Sequence, residues 1–141
     1  LGARQIAYEL KPDVALVPDV THATDYPTVN KAIHGDVRMG EGPSLTHGGP
    51  NHPVVVEKLE KVAKRIKCPV QHEAVSSTSG TDTDVIFWTR GGIPSALISI
   101  PNRYMHSPVE MIHLKDLEKV PQLMAGFALS AKPTDSYKVS I

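Results

Sequence analysis

Apolar positions along the chain gather into short blocks separated by glycine, proline and polar clusters. Residues 13–20, DVALVPDV, form an apolar run ending in an acid and predict a buried strand. Pro18 removes a ladder donor, so this strand lies near an edge or finishes there. Residues 21–30, THATDYPTVN, are rich in turn formers and predict a loop. Between residues 33 and 45 lie two short extended pieces, HGDVRM and PSL, split by the turn Gly40-Glu41-Gly42-Pro43. A helix is predicted to open at Gly48-Gly49-Pro50-Asn51-His52-Pro53, with Asn51 as its cap and Pro53 in its first turn. Val54, Val55, Leu59, Val62, Ala63 and Ile66 recur there at helical spacing, while Lys58, Glu60, Lys61, Lys64 and Arg65 fill the other face.

Residues 69–75 follow as a strand with partial alternation. SSTSG, residues 76–80, is a flexible small-residue loop, and a second helix spans residues 82–89 until Gly91-Gly92 stops it. Residues 93–100, IPSALISI, are the most apolar stretch and predict the central strand. A polar loop, PNRYMHSPVE, follows at residues 101–110. The last helix covers residues 114–131, with Leu117, Val120, Leu123, Met124, Phe127 and Leu129 on or near one face; Pro121 bends it or marks its true start. From Lys132 the chain reads as a loose tail. Strands alternating with helices imply a sheet covered by helices, the α/β class, in which ligands gather in loops beyond the carboxyl ends of strands.

Composition narrows the function. A hydrophobic fraction of 40% against 21% charged allows a buried core in a chain of 141 residues and argues against disorder. Fifteen basic residues balance fifteen acidic ones, which points away from a nucleic-acid binder. The single cysteine, Cys68, excludes an internal disulfide framework and a cysteine-based zinc finger. No apolar run reaches the roughly 18 residues of a membrane span. The start, Leu-Gly-Ala-Arg, has neither an initiator Met nor a signal-peptide pattern, and suggests a piece of a longer chain.

Seven histidines make metal chemistry worth testing. Asp19 ends an apolar strand, where a carboxylate is costly unless it is paired or bound to a cation. It can equally be a turn-initiating Asp that caps the following loop. His106 sits six residues past IPSALISI in a cluster with Arg103, Tyr104 and Ser107. Asp and neutral His are ordinary ligands for zinc or cobalt. Gly80-Thr81-Asp82 combines a flexible run with a helix start, whose N–H groups can receive a carbonyl or carboxylate or can simply be capped. Arg103 can clamp a carboxylate or pair with Glu110. His22 stands beside Asp19; His34, His47, His52, His72 and His113 lack tight mutual spacing and read mostly as solvated. A catalytic zinc needs about three protein ligands and a two-metal site about five, so two donors are part of a site. HExxH, GxSxG, Walker and GxGxxG motifs are absent from the sequence.

DVTHATDYP, RMGEGP, GPNHP, GTDTD and above all ISIPNRYMHSPVE resemble the M42 family of metallo-aminopeptidases, from Leu1 to about Leu129. That family includes glutamyl and deblocking aminopeptidases and the tetrahedral TET peptidases. The resemblance implies a peptidase α/β/α sandwich with a mixed sheet flanked by helices, and a small β-barrel domain inserted in its first half. It implies two divalent metals, zinc or cobalt, held by an early His and bridging Asp, the second Glu of a Glu-Glu pair, an Asp in a DVT-type motif and a His in an RYxHS-type motif. Asp19 and His106 match the last two. The first Glu of the pair is the general base and would lie just upstream of Leu1, so this chain carries no catalytic residue of its own. His22, Ser76, Gly80, Thr81 and Arg103 would line the substrate cleft.

Residues 1–131 are therefore expected to be the C-terminal half of a catalytic domain, with residues 132–141 a tail. The expected activity is removal of N-terminal residues from peptides by a cytoplasmic, homo-oligomeric enzyme, dodecameric when full length, without nucleic-acid or membrane partners. Alone, the chain is expected to be inactive, to bind divalent metal weakly or not at all, and to present open edges at residues 13–20 and 93–100. A non-catalytic assembly piece or paralogue is the alternative. A glycosidase, suggested by cellulase-labelled relatives, is weaker, because it needs two carboxylates across a sugar bond.

Overall fold

A computed structural model describes residues 2–138. Ten elements follow one another: α1 (Gly2–Leu10), β1 (Ala15–His22), α2 (Lys31–His34), β2 (Ser44–His47), α3 (Pro53–Ile66), β3 (Gln71–Ala74), α4 (Asp82–Phe87), β4 (Ser95–Arg103), β5 (Met111–Ile112) and α5 (Leu114–Ser130). The strands form a mixed sheet in the order β1-β4-β2-β3, with β5 hairpinned onto β4. β1 runs parallel to β4, β2 antiparallel to β4, and β3 parallel to β2. This is the expected α/β arrangement, a mixed sheet flanked by helices.

Alternation along β4 decides which helices cover which face. Leu45, Ala96 and Ile98 join Val55, Leu59, Val62, Ala63, Leu123 and Phe127 in one core, so α3 and α5 cover that side. Val17 and Leu97 are equally buried but lie outside that cluster, and point to the opposite side. There α4 packs on β1 and β4, and α1 packs on α4. Burial of each large apolar side chain contributes about 1.5–3 kcal/mol, so the α3–sheet–α5 layer dominates the fold. α3 and α5 approach closely because Gly126 has no side chain: a Cβ there would stand 2.7 Å from Val62 Cγ1.

Several predicted elements shift. The central strand extends past Pro101 to Arg103, because β1 and β5 flank its end and the missing proline donor is not needed. β4 is paired on both sides, so the expected open edge at residues 93–100 is absent; β1 has β4 as its partner among the described residues. Residues 31–34 form a short helix capped by Asn30, and the expected extended piece HGDVRM after it forms no strand among the described residues. α1, at residues to which the pattern assigned no element, uses one apolar face against α4. Pro121 lies inside a continuous α5.

Asn51 does not cap α3. His52 occupies that position, while Asn51 is buried, with Oδ1 accepting Leu97 N–H at 2.8 Å and Nδ2 donating to the Gly48 carbonyl. Its role is to fasten the helix start to the central strand. Asp116, fully buried in α5, accepts the N–H groups of Gly40 (2.7 Å) and Gly42 (2.9 Å). That turn demands glycine at residue 42, where φ is +101° and a Cβ would meet the Pro69 carbonyl oxygen at 2.2 Å. Residues 132–138 form no helix or strand, yet Asp135 pairs with Lys58 of α3 and Tyr137 packs against the core. Residues 139–141 of the expected tail, and Leu1, lie outside the described residues.

Candidate active site

The carboxyl ends of β1 and β4 lie side by side because the two strands are parallel neighbours in register. Asp19 sits opposite Ser99, three residues before β1 ends, so it lies within the strand rather than at its close. It does not start a turn. Its Oδ1 accepts the Val20 N–H at 2.8 Å, which leaves the other carboxylate oxygen without that tie. His106 lies three residues beyond β4, in the turn that leads back to β5. The two candidate ligands thus belong to one parallel strand pair, Asp19 within β1 and His106 just past the carboxyl end of β4.

The turn bearing His106 is held in an unusual backbone. Tyr104 (φ +61°) and His106 (φ +64°) are both left-handed. Such residues cost on the order of 1–3 kcal/mol each and persist only where the surroundings impose them. Glu110 imposes part of it, accepting the His106 N–H on one oxygen and the Asn102 amide on the other. These two donors hold the Glu110 carboxyl below its ordinary value. Arg103, at the end of β4, makes a two-pronged pair with Asp25, at 2.9 and 2.8 Å. Its partner is Asp25 and not Glu110. The Arg103 guanidinium, with the Met39 N–H, lowers the Asp25 pKa.

His22 ends β1, exposed, and lines a hollow of about 520 Å³ with Thr21, Tyr26, Val37 and Glu73. Glu73, in β3, receives the hydroxyls of Thr21 (2.6 Å) and Thr46 (2.8 Å) and brings a third strand to this region. Sequence reading missed it; an acid in an alternating strand looks like a solvated face, and only its two threonine donors show otherwise. Ser76 is exposed in the loop after β3. Thr81 is the N-cap of α4, accepting the Thr83 N–H. The Asp84 carboxylate receives the N–H groups of Ser79 and Gly80, so the Gly80 donor is already used inside the loop. Ser76, Gly80 and Thr81 are in one connected loop, but no distance ties them to Asp19 or His106.

The donor set fits a divalent metal in kind. A carboxylate oxygen and an imidazole nitrogen suit zinc or cobalt, and Asn102 adds a buried Oδ1 that has no hydrogen-bond partner among the described residues. Two donors do not close a first shell.

Residues 1–123 match the model of the M42 glutamyl aminopeptidase family, and the chain belongs to that family. A lysyl aminopeptidase of Pyrococcus furiosus is 32% identical over 134 residues, covering 95% of this chain and 38% of that protein. The structure of aminopeptidase APDkam598 from the archaeon Desulfurococcus kamchatkensis superposes with a TM-score of 0.84 at 38% identity, over 93% of this chain and 38% of that one. The TET1 peptidase of Pyrococcus horikoshii, which can assemble into a tetrahedron or a large octahedral shell, superposes with a TM-score of 0.71 at 25% identity over 92% of this chain and 37% of that one. The chain therefore spans less than two fifths of the length of these relatives. Among the described residues no helix is long and apolar enough to cross a membrane.

Proposed function

We propose that this chain is the C-terminal part of the catalytic domain of a two-metal aminopeptidase, acting on the N-terminal residues of peptides. The observation that supports this reading is that Asp19 in β1 and His106 just past β4 lie on one parallel strand pair in a chain of the M42 family. In the full-length enzyme each would hold a different divalent metal, zinc or cobalt. When bound, such metals polarise a peptide carbonyl and acidify a water.

The remaining work falls to side chains of this chain. Asp19 is oriented by the Val20 N–H, and His106 by the left-handed turn that Glu110 and the Asp25–Arg103 pair hold in place. Arg103 is a positioning residue for that turn. His22, Ser76, Gly80 and Thr81 would line the peptide cleft. The general base, a Glu, would lie outside this chain, so the 141 residues alone would be inactive. A homo-oligomer is the assembly we infer for the full-length protein, supported by the assemblies of the TET1 peptidase.

Hydrolysis of an aminoacyl chromogenic substrate by the full-length protein tests the reading. Activity should vanish with a chelator and return with zinc or cobalt. Hydrolysis indifferent to the chelator would overturn it.

A further inference from the structure

At the β3 edge of the sheet, three side chains converge without a task in the proposed reaction. His47 ends β2 and His72 sits in β3; Glu60 lies on α3. His72 pairs with Leu45 in the β2–β3 register, and His47 is two residues beyond Leu45. Alternation therefore puts both imidazoles on the side of the sheet that α3 covers. His47 Nε2 stands 2.9 Å from His72 Nδ1, and Glu60 Oε1 lies 3.7 Å from the first and 3.8 Å from the second.

We infer that His47, His72 and Glu60 form a second metal site, for a divalent transition ion such as zinc. Ligand atoms around a tetrahedral zinc with bonds of about 2.0–2.1 Å lie about 3.3 Å apart. The three separations bracket that value, so closure on an ion needs shifts of only a few tenths of an ångström. Two imidazole nitrogens and one carboxylate oxygen are the donor types zinc, nickel and copper prefer. No lysine neutralises Glu60 among the described residues: Lys61 is paired with Glu57, and the partners of Glu60 are the two imidazoles. The site is reachable, since His47 and His72 line an open hollow of about 420 Å³. His34 lines the same hollow. An ion here joins the edge strand, its neighbour and the helix above them. That makes it a structural clip, with no part in the chemistry at Asp19.

Zinc titration by calorimetry into the 141-residue chain carrying Asp19→Asn and His106→Asn isolates this site. The expected result is one zinc per chain and a melting temperature that rises with added zinc. Adding His72→Ala, or separately His47→Gln, should weaken binding by more than the roughly tenfold that loss of an outer partner costs. Circular dichroism should stay unchanged, since both rings are about half exposed. Crystals soaked in zinc should show an anomalous peak within bonding distance of both imidazoles. No zinc uptake, or uptake that neither histidine substitution weakens, overturns the proposal.

Discussion

The two ends of the sheet handle their polar residues in opposite ways. At the β1–β4 mouth the carboxylates are tied to neighbouring donors: Asp19 accepts the Val20 N–H, Asp25 pairs with Arg103, and Glu110 accepts the His106 N–H. At the β3 edge the donors are aimed at one another, His47 to His72 with Glu60 beside them. The first region joins two candidate donors to a braced turn. The second is a nearly closed shell with little positioning. A strained, braced turn suits chemistry, where orientation matters; three converging donors suit simple ion capture.

The sharpest way to break this contrast is Asp19→Asn in the full-length enzyme. Loss of a metal donor should exceed the effect of losing an outer partner, so we expect a fall in kcat/KM of at least about 100-fold with less bound metal. His72→Ala should leave the same kcat/KM unchanged. Equal losses from both would mean that the two regions are one functional unit.

Asp116→Ala probes a support common to both ends. It strands the N–H groups of Gly40 and Gly42 in the turn that leads into β2. Each unsatisfied buried donor costs about 1–3 kcal/mol, so denaturant unfolding should show a loss near ~3 kcal/mol. Gly126→Ala separates the regions instead. Its methyl would press on Val62 and displace α3, which carries Glu60, at a cost of about 1–3 kcal/mol. Zinc affinity at the β3 edge should fall, while the backbone of the His106 turn stays put. Heteronuclear NMR shifts of the two regions read this directly.

The smallest effect concerns acid. Asp25 and Glu110 both have carboxyl groups lowered below their ordinary values of 3.8 and 4.5. A lowered folded pKa adds stability above the unfolded value and loses it as pH falls through the folded one. Asp25→Asn should therefore weaken the protein at neutral pH and flatten the decline in stability below about pH 4. An unchanged acid profile would remove Asp25 from the bracing of the turn.

Sequence legibility followed the range of the interaction. β4, α3 and α5 were readable because their apolar spacing is local, and Pro53 marked the start of α3 without reference to the rest of the chain. Asp19 and His106 stood out as candidates because each belongs to a short motif. What escaped depends on residues far apart. Asn51 looks like a cap until Leu97, 46 positions later, claims its oxygen. Asp116 looks solvated until the turn 74 residues earlier folds onto it. His47 and His72 lie 25 positions apart and meet only because β2 and β3 pair in parallel.

The central claim is that Asp19 and His106 hold metal in the enzyme to which this chain contributes. Crystals of the full-length protein, measured at the zinc or cobalt absorption edge, test it most directly. The account predicts anomalous peaks about 2.0–2.2 Å from the Asp19 carboxylate and the His106 imidazole, two ions at the β1–β4 mouth. A metal-loaded, active enzyme with no peak at either side chain would contradict it.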